Sequence, residues 1–145
     1  MLLENYWIKG VVRMKQNEKE ILDAVNKEFE VDLKWNDYKY NKFDAENKNY
    51  IVEIKDRKKH YNKTMIEFNK YSYNIKYSEL AKKDFIYVVR MSGVIYIFNL
   101  SKKDDTFGWN WKMIEATTNF ERKEKVKKLV GYLNIEDCTK EIDTH

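Results

Sequence analysis

An α/β (α+β) fold, a mixed sheet flanked by helices, is what the sequence predicts, and three observations predict it. Apolar residues recur at helical spacing over residues 17–29 and again over 62–82. Short β-prone runs, YIVEIKD, DFIYVVRM and VIYIFNL, alternate with those helical segments. No Pro occurs and Gly is confined to Gly10, Gly93, Gly108 and Gly131, so no linker of the usual composition divides the 145 residues, and we read 1–145 as one domain. The order helix, three short strands, helix, one strand or two and a terminal helix gives that class.

Taken in order, residues 1–16 form an N-terminal extension whose apolar run is interrupted by Glu4, Lys9 and Arg13, well short of a membrane span or signal peptide. Met14 reads as a second candidate start, in which case the segment before it is an extension that either packs as an extra strand or stays loose. NEKEILDAVNKEF places Ile21, Leu22, Val25 and Phe29 on one helical face, with Asn17 as the expected N-cap. Val31, Leu33 and Trp35 alternate, then Tyr38 and Tyr40, which predicts two short strands broken near Asn36-Asp37. ENKN reads as a turn pairing Phe43–Ala45 with Tyr50–Val52. Asn62 to Lys82 reads as a helix in which Thr64 and Glu67 form a capping box. Ser92-Gly93 joins two strands in a hairpin, and Trp109, Trp111 and Met113 alternate on a further edge strand. A helix capped by Asn119 is expected through about Leu133, followed by a fraying tail over 134–145.

The apolar fraction of 43% supplies a core, whereas the 36% charged fraction suits a soluble surface. A net charge of +4 says little about partners, but Lys55, Arg57, Lys58, Lys59, His60 and Lys63 crowd one segment. Cys138 is the only cysteine, which excludes an intramolecular disulfide and a cysteine-based zinc cluster. We expect a cytoplasmic protein of a bacterium or a phage-infected host cell, with no membrane partner and no nucleotide cofactor.

Residues 40–63 carry the chemistry. Alternation along YIVEIKD points Glu53 and Lys55 one way and Val52 and Ile54 the other. A turn centred on Asn47-Lys48 sets Asp44 opposite Ile51 and diagonal to Glu53, roughly 7–8 Å away. Two carboxylates and an ammonium then share one patch. Such a set suits Mg²⁺, which takes oxygen ligands, lowers the pKa of bound water and neutralises charge on a phosphodiester, with Lys55 stabilising that charge. The alternative is a solvated cross-strand charge pair worth a few tenths of a kcal/mol. Likewise the basic run is either a solvated loop or a phosphate-binding segment.

Asp44, eight intervening residues and Glu53-Ile54-Lys55, in an apolar strand between two helices, resemble the PD-(D/E)XK nuclease superfamily over roughly residues 17–91. The motif's Pro is absent, since Phe43 precedes Asp44. The resemblance implies a restriction-endonuclease-like αβββαβ core. It implies Mg²⁺, with Mn²⁺ as substitute, held by Asp44, Glu53 and the Ile54 backbone carbonyl, and Lys55 serving the water nucleophile. Members also place a Glu on the first helix, and Glu18 falls on the stripe of Ile21, Leu22 and Val25, whereas Glu20 lies off it. Glu67 and Tyr71 match a Gln-x-x-x-Tyr spacing with Glu in place of Gln, the rival of the capping reading. Beside such a site Arg57, Lys58, Lys59, Lys63 and Lys70 become candidate phosphate contacts and Tyr61 a base-stacking residue; His60 is read as a surface residue. The expectation is a homodimeric, metal-dependent DNA endonuclease like the small phage-type enzymes and Holliday-junction resolvases. Its rivals are an inactive nuclease-fold protein that binds nucleic acid or a host component, and a protein-interaction domain using the Trp and Tyr surface.

Overall fold

The computed structural model describes residues 16–37, 42–102, 108–115 and 124–144. The N-terminal extension through residue 15, the strand expected at Tyr38 and Tyr40, and Asn119 fall outside them. Helix α1 (Gln16–Phe29) buries Ile21, Leu22 and Val25. Strands β1 (Lys34–Trp35), β2 (Ala45–Glu46) and β3 (Tyr50–Arg57) follow, then β4 (Lys63–Glu67) and helix α2 (Phe68–Ala81). The chain continues through β5 (Asp84–Met91), β6 (Val94–Asn99), β7 (Asn110–Glu115), β8 (Lys125–Asn134) and β9 (Lys140–Asp143). Among the described residues no helix is long and apolar enough to cross a membrane.

A six-stranded sheet runs in the order β1-β2-β3-β5-β6-β9, and a three-stranded sheet in the order β4-β8-β7. The larger sheet is mixed: β3 and β5 are parallel and every other neighbouring pair is antiparallel. A parallel pair needs a long crossover, and here β4 and α2 supply it. Because successive side chains alternate faces, Val52, Ile54, Val88, Ile95 and Ile97 meet α1 on one side. On the other, Ile51, Phe85, Tyr87 and Val89 meet Tyr71 of α2 and Ile66 and Leu133 of the second sheet. Both faces of β3 are therefore core. The β5–β6 turn at Ser92-Gly93 is as expected, with φ of 49° and 81°, the left-handed pair that matches the twist of a two-residue hairpin.

Five expectations are corrected. Lys63–Glu67 is strand, not the first turns of a helix, because Thr64 and Ile66 alternate into the core while pairing with β8. No capping box forms: Thr64 lies inside that strand, and Glu67 takes the N-cap position with extended backbone and no side-chain cap. The expected C-terminal helix is replaced, from Lys125 on, by β8, the central strand of the second sheet, which pairs with β7 over Lys125–Val130 and with β4 over Val130–Asn134. The expected tail is not loose over its described residues. Its β9 adds to the edge of β6 with Ile142 opposite Ile95, and the Thr144 amide donates to the Gly93 carbonyl at 2.8 Å. Asn17 sits within the first turn of α1 rather than capping it, and its amide donates to Asp56 at 2.9 Å.

Candidate active site

The hairpin that carries the acids closes one residue later than expected. Asn47 Oδ1 accepts from the backbone N–H groups of Asn49 and Tyr50, both at 2.8 Å, which centres the turn on Lys48-Asn49. The register becomes Ala45 opposite Val52 and Glu46 opposite Ile51. Asp44 lies just ahead of that register, against Val52 and Ile54 rather than opposite Ile51.

Asp44 takes the place of a strand partner just where β2 begins. Its N–H donates to Val52 O at 2.7 Å, its C=O accepts from Asn36 N at 2.7 Å, and its Oδ2 accepts from Ile54 N at 2.7 Å. One carboxylate is thus fixed in the sheet edge by backbone. The N–H and C=O of a strand residue project to the same edge, so the Ile54 carbonyl lies on the side of Asp44.

Glu53 points to the opposite face from Val52 and Ile54 and is only 3% exposed, which removes the reading of a solvated charge pair. A buried carboxylate is costly unless paired and hydrogen-bonded. Here Oε1 accepts from Lys70 Nζ at 3.2 Å, and Lys55 Nζ stands 3.5 Å away. Lys55 arrives by strand alternation and Lys70 from the first turn of α2, which is why the β4–α2 junction matters to the site.

Burial, first, and then the negative charges of Glu53 and Glu18 push Asp44 up to about 7, against the lowering effect of the Ile54 N–H and of Lys55. Asp44, Glu53, Glu18 and Lys55 therefore share one electrostatic neighbourhood. Glu18 is half-buried in the first turn of α1. That turn is pinned: Arg90 holds Asp56 through two hydrogen bonds of 3.0 and 3.1 Å and Glu20 at 3.3 Å, and Asn17 also reaches Asp56. The Arg90 guanidinium keeps the Asp56 carboxyl below its usual range. Glu20 thus belongs to a latch beside the site.

A cavity of about 40 Å³ opens beside Glu53, walled by Lys55, Arg57, Ile66, Glu67, Lys70 and Tyr87 among others, and is large enough for ordered water. Two residues, one lining this cavity and one paired to its wall, escaped the sequence. Tyr87 stands next to Glu53 in the parallel register, donates to Met65 O at 3.1 Å, and is pushed up to about 12 by burial and by the Glu53 charge. Lys128 of β8 binds Glu67 at 3.0 Å, so Glu67 neither caps α2 nor stands apart from the site. Only long-range strand pairing brings either residue here, and no local signal announces it.

The basic run divides. Arg57 walls the cavity, whereas Lys58, Lys59, Tyr61 and Lys63 are exposed and do not line it. His60 turns toward β6, with Nε2 2.8 Å from the Tyr96 hydroxyl. Trp109 is half-buried and packs against the core, its ring 5.1 Å from Phe68 and 5.4 Å from Tyr71. Trp111 is 63% exposed.

Among the described residues no three His, Cys, Asp or Glu side chains form a cation cage on their own. Mg²⁺ asks for less, being held by one or two carboxylates with waters and substrate phosphate oxygens completing its shell. Asp44, Glu53 and the Ile54 carbonyl are oxygen donors of that kind. The raised Asp44 reflects its burial first and the neighbouring charges of Glu53 and Glu18 second, and a divalent cation would neutralise that negative charge. No protein-family model and no curated protein matches the chain.

Proposed function

We propose that this protein is a metal-dependent nuclease that hydrolyses DNA phosphodiester bonds, with Asp44 and Glu53 holding Mg²⁺ and Lys55 beside them. One observation carries the reading: a Glu buried to 3% on a strand face has a Lys two residues on and an Asp carboxylate fixed to the intervening residue's N–H. Sheets rarely place such a set in a core face without a use for it, since the acids must be desolvated together.

In this reading Asp44 and Glu53 present hard oxygens, the Ile54 carbonyl adds a third, and Glu18 approaches from α1. Mg²⁺, when bound, supplies a lowered water pKa and neutralises charge at the scissile phosphate. Lys55 orients the attacking water and offsets the negative charge that grows on the phosphoryl oxygens. Lys70 holds Glu53 in place, and Arg57 offers a cation at the cavity wall. Paired copies of the chain would deliver two cuts, which suits duplex or branched DNA.

The test is cleavage of supercoiled plasmid and of a synthetic four-way junction with Mg²⁺ or Mn²⁺. Glu53→Gln and Lys55→Ala should each lose at least about 100-fold in rate while circular dichroism stays native. Unchanged cleavage in both variants would refute the assignment. A second reading, a nuclease-like fold that binds nucleic acid without cutting it, is favoured by the two ammonium groups already facing Glu53. It predicts binding with no cleavage in any divalent metal and no heat of Mn²⁺ binding by calorimetry.

A further inference from the structure

The β7–β8 pair leaves the body of the protein as a ribbon. Its inner face begins at Leu133 and Ile66, both buried in the core beside the cavity, and continues along β8 through Gly131, Leu129 and Lys127. Across from Leu129 stands Trp111, and across from Lys127 stands Met113. The face thus passes from core to solvent, ending in an indole 63% exposed and a Met side chain 57% exposed. Lys127 Nζ lies 5.7 Å from the Trp111 ring centroid. Leaving an indole in water forgoes a large apolar burial, and nothing else in the described chain covers it.

We propose that this ribbon is a nucleic-acid-binding arm on which Trp111 stacks against an unpaired base while Lys127 meets the adjoining phosphate. The assignment rests on the nuclease or nucleic-acid-binding reading above and adds where a strand with unpaired bases lies. Charge decides the occupant. The face that carries Trp111 bears the exposed Lys125 and Lys127, whereas Lys112 and Lys128 lie on the other face, where Lys128 pairs with Glu67, so a second copy seated on the Trp111 face would bring like charges together, and lysines along an exposed strand edge oppose such pairing. A polyanion with planar bases satisfies both the ammonium groups and the ring, since base–aromatic stacking with a positively charged track is how single strands are held without sequence preference. Position agrees, because the inner end of this face walls the cavity beside Glu53.

The experiment is fluorescence anisotropy of labelled 20-nucleotide oligo(dT) and oligo(rU) with the full chain in EDTA, so that no cleavage is required. Trp111→Leu keeps apolar bulk and removes the indole; it should weaken binding about tenfold, with Trp111→Phe much closer to wild type. Lys127→Ala should lower the salt slope by about 0.7. A loss with oligo(rU) alone sustains the arm and assigns RNA; a loss with oligo(dT) assigns DNA. Trp111→Leu binding both strands as wild type does overturns the proposal. So does conversion of a dimer to monomer, by sedimentation, with affinity unchanged, which would make a second copy the occupant. Glu53→Gln binding like wild type but cutting nothing separates this arm from the catalytic assignment, and either can fail alone.

Discussion

Asp44 carries the charge that the fold tolerates least. Its ordinary value is 3.8 and the folded protein raises it to about 7, so between those values the native state holds a proton that the unfolded chain releases. Stability then falls as pH rises through that window, the reverse of a salt-bridged Asp. Asp44→Asn keeps an oxygen to accept from Ile54 N–H and removes the titration. Urea unfolding without metal should show wild-type stability declining from pH 4 to pH 7, by on the order of 1–2 kcal/mol for a half-buried group, and a flatter profile in the variant. Mn²⁺ at pH 8 should raise the Tm of the wild type and leave that of Asp44→Asn unmoved. Asp44, Glu53 and Lys55 were legible because period-two alternation and one short turn bring them together, all within twelve residues. The turn was misplaced by one residue because the Asn47 side chain closes it. Tyr87 and Lys128 were not legible, since only the β3–β5 and β4–β8 pairings carry them to Glu53 and Glu67.

At the scale of elements, local pattern decided well wherever a segment buries one face alone. α1 and the β5–β6 hairpin are where the spacing put them. It failed where a lysine-rich segment becomes a central strand. KVKKLVGYLN has no clean alternation, because its first half projects into solvent and its second half is core, so burial changes along its length. The same holds for Lys63–Glu67, whose helix-compatible residues are drawn into a sheet by β8. The two errors are one, since β4 has no partner if β8 is a helix. Leu133 is the residue that distinguishes the alternatives: it is fully buried, sits opposite Thr64, and packs in the cluster below Tyr87. Leu133→Ala should cost about 2–5 kcal/mol, read as a lower urea midpoint at unchanged m-value. Leu129→Ala, two residues along the same face on the half-exposed part of the ribbon, should cost well under half of that. Equal costs at the two positions would count against β8 as placed.

Over the described residues charge is placed unevenly in a way that a net charge of +4 conceals. α1, on one face of the large sheet, carries Glu18, Glu20, Asp23 and Glu28 against Lys19 and Lys27. The second sheet and the β3–β4 loop expose Lys58, Lys59, Lys63, Lys112, Lys125 and Lys127 against Glu124 and a Glu67 that Lys128 already pairs, and the cavity beside Glu53 opens next to the second sheet. A polyanion is therefore drawn to the face that holds the candidate site and turned away from α1. If about four of these lysines contact phosphates, duplex affinity should fall with a log–log salt slope of about −3.6, roughly 100-fold between 50 and 200 mM salt. Reversing Lys58 and Lys59 to Glu should flatten that slope by about 1.8. Reversing Lys19 and Lys27 to Glu changes the net charge by the same amount on the other face and should leave the slope nearly as it was. Titration of labelled duplex at four salt concentrations reads both variants, and equal flattening by the two pairs would mean that overall charge, rather than its placement on the fold, governs binding.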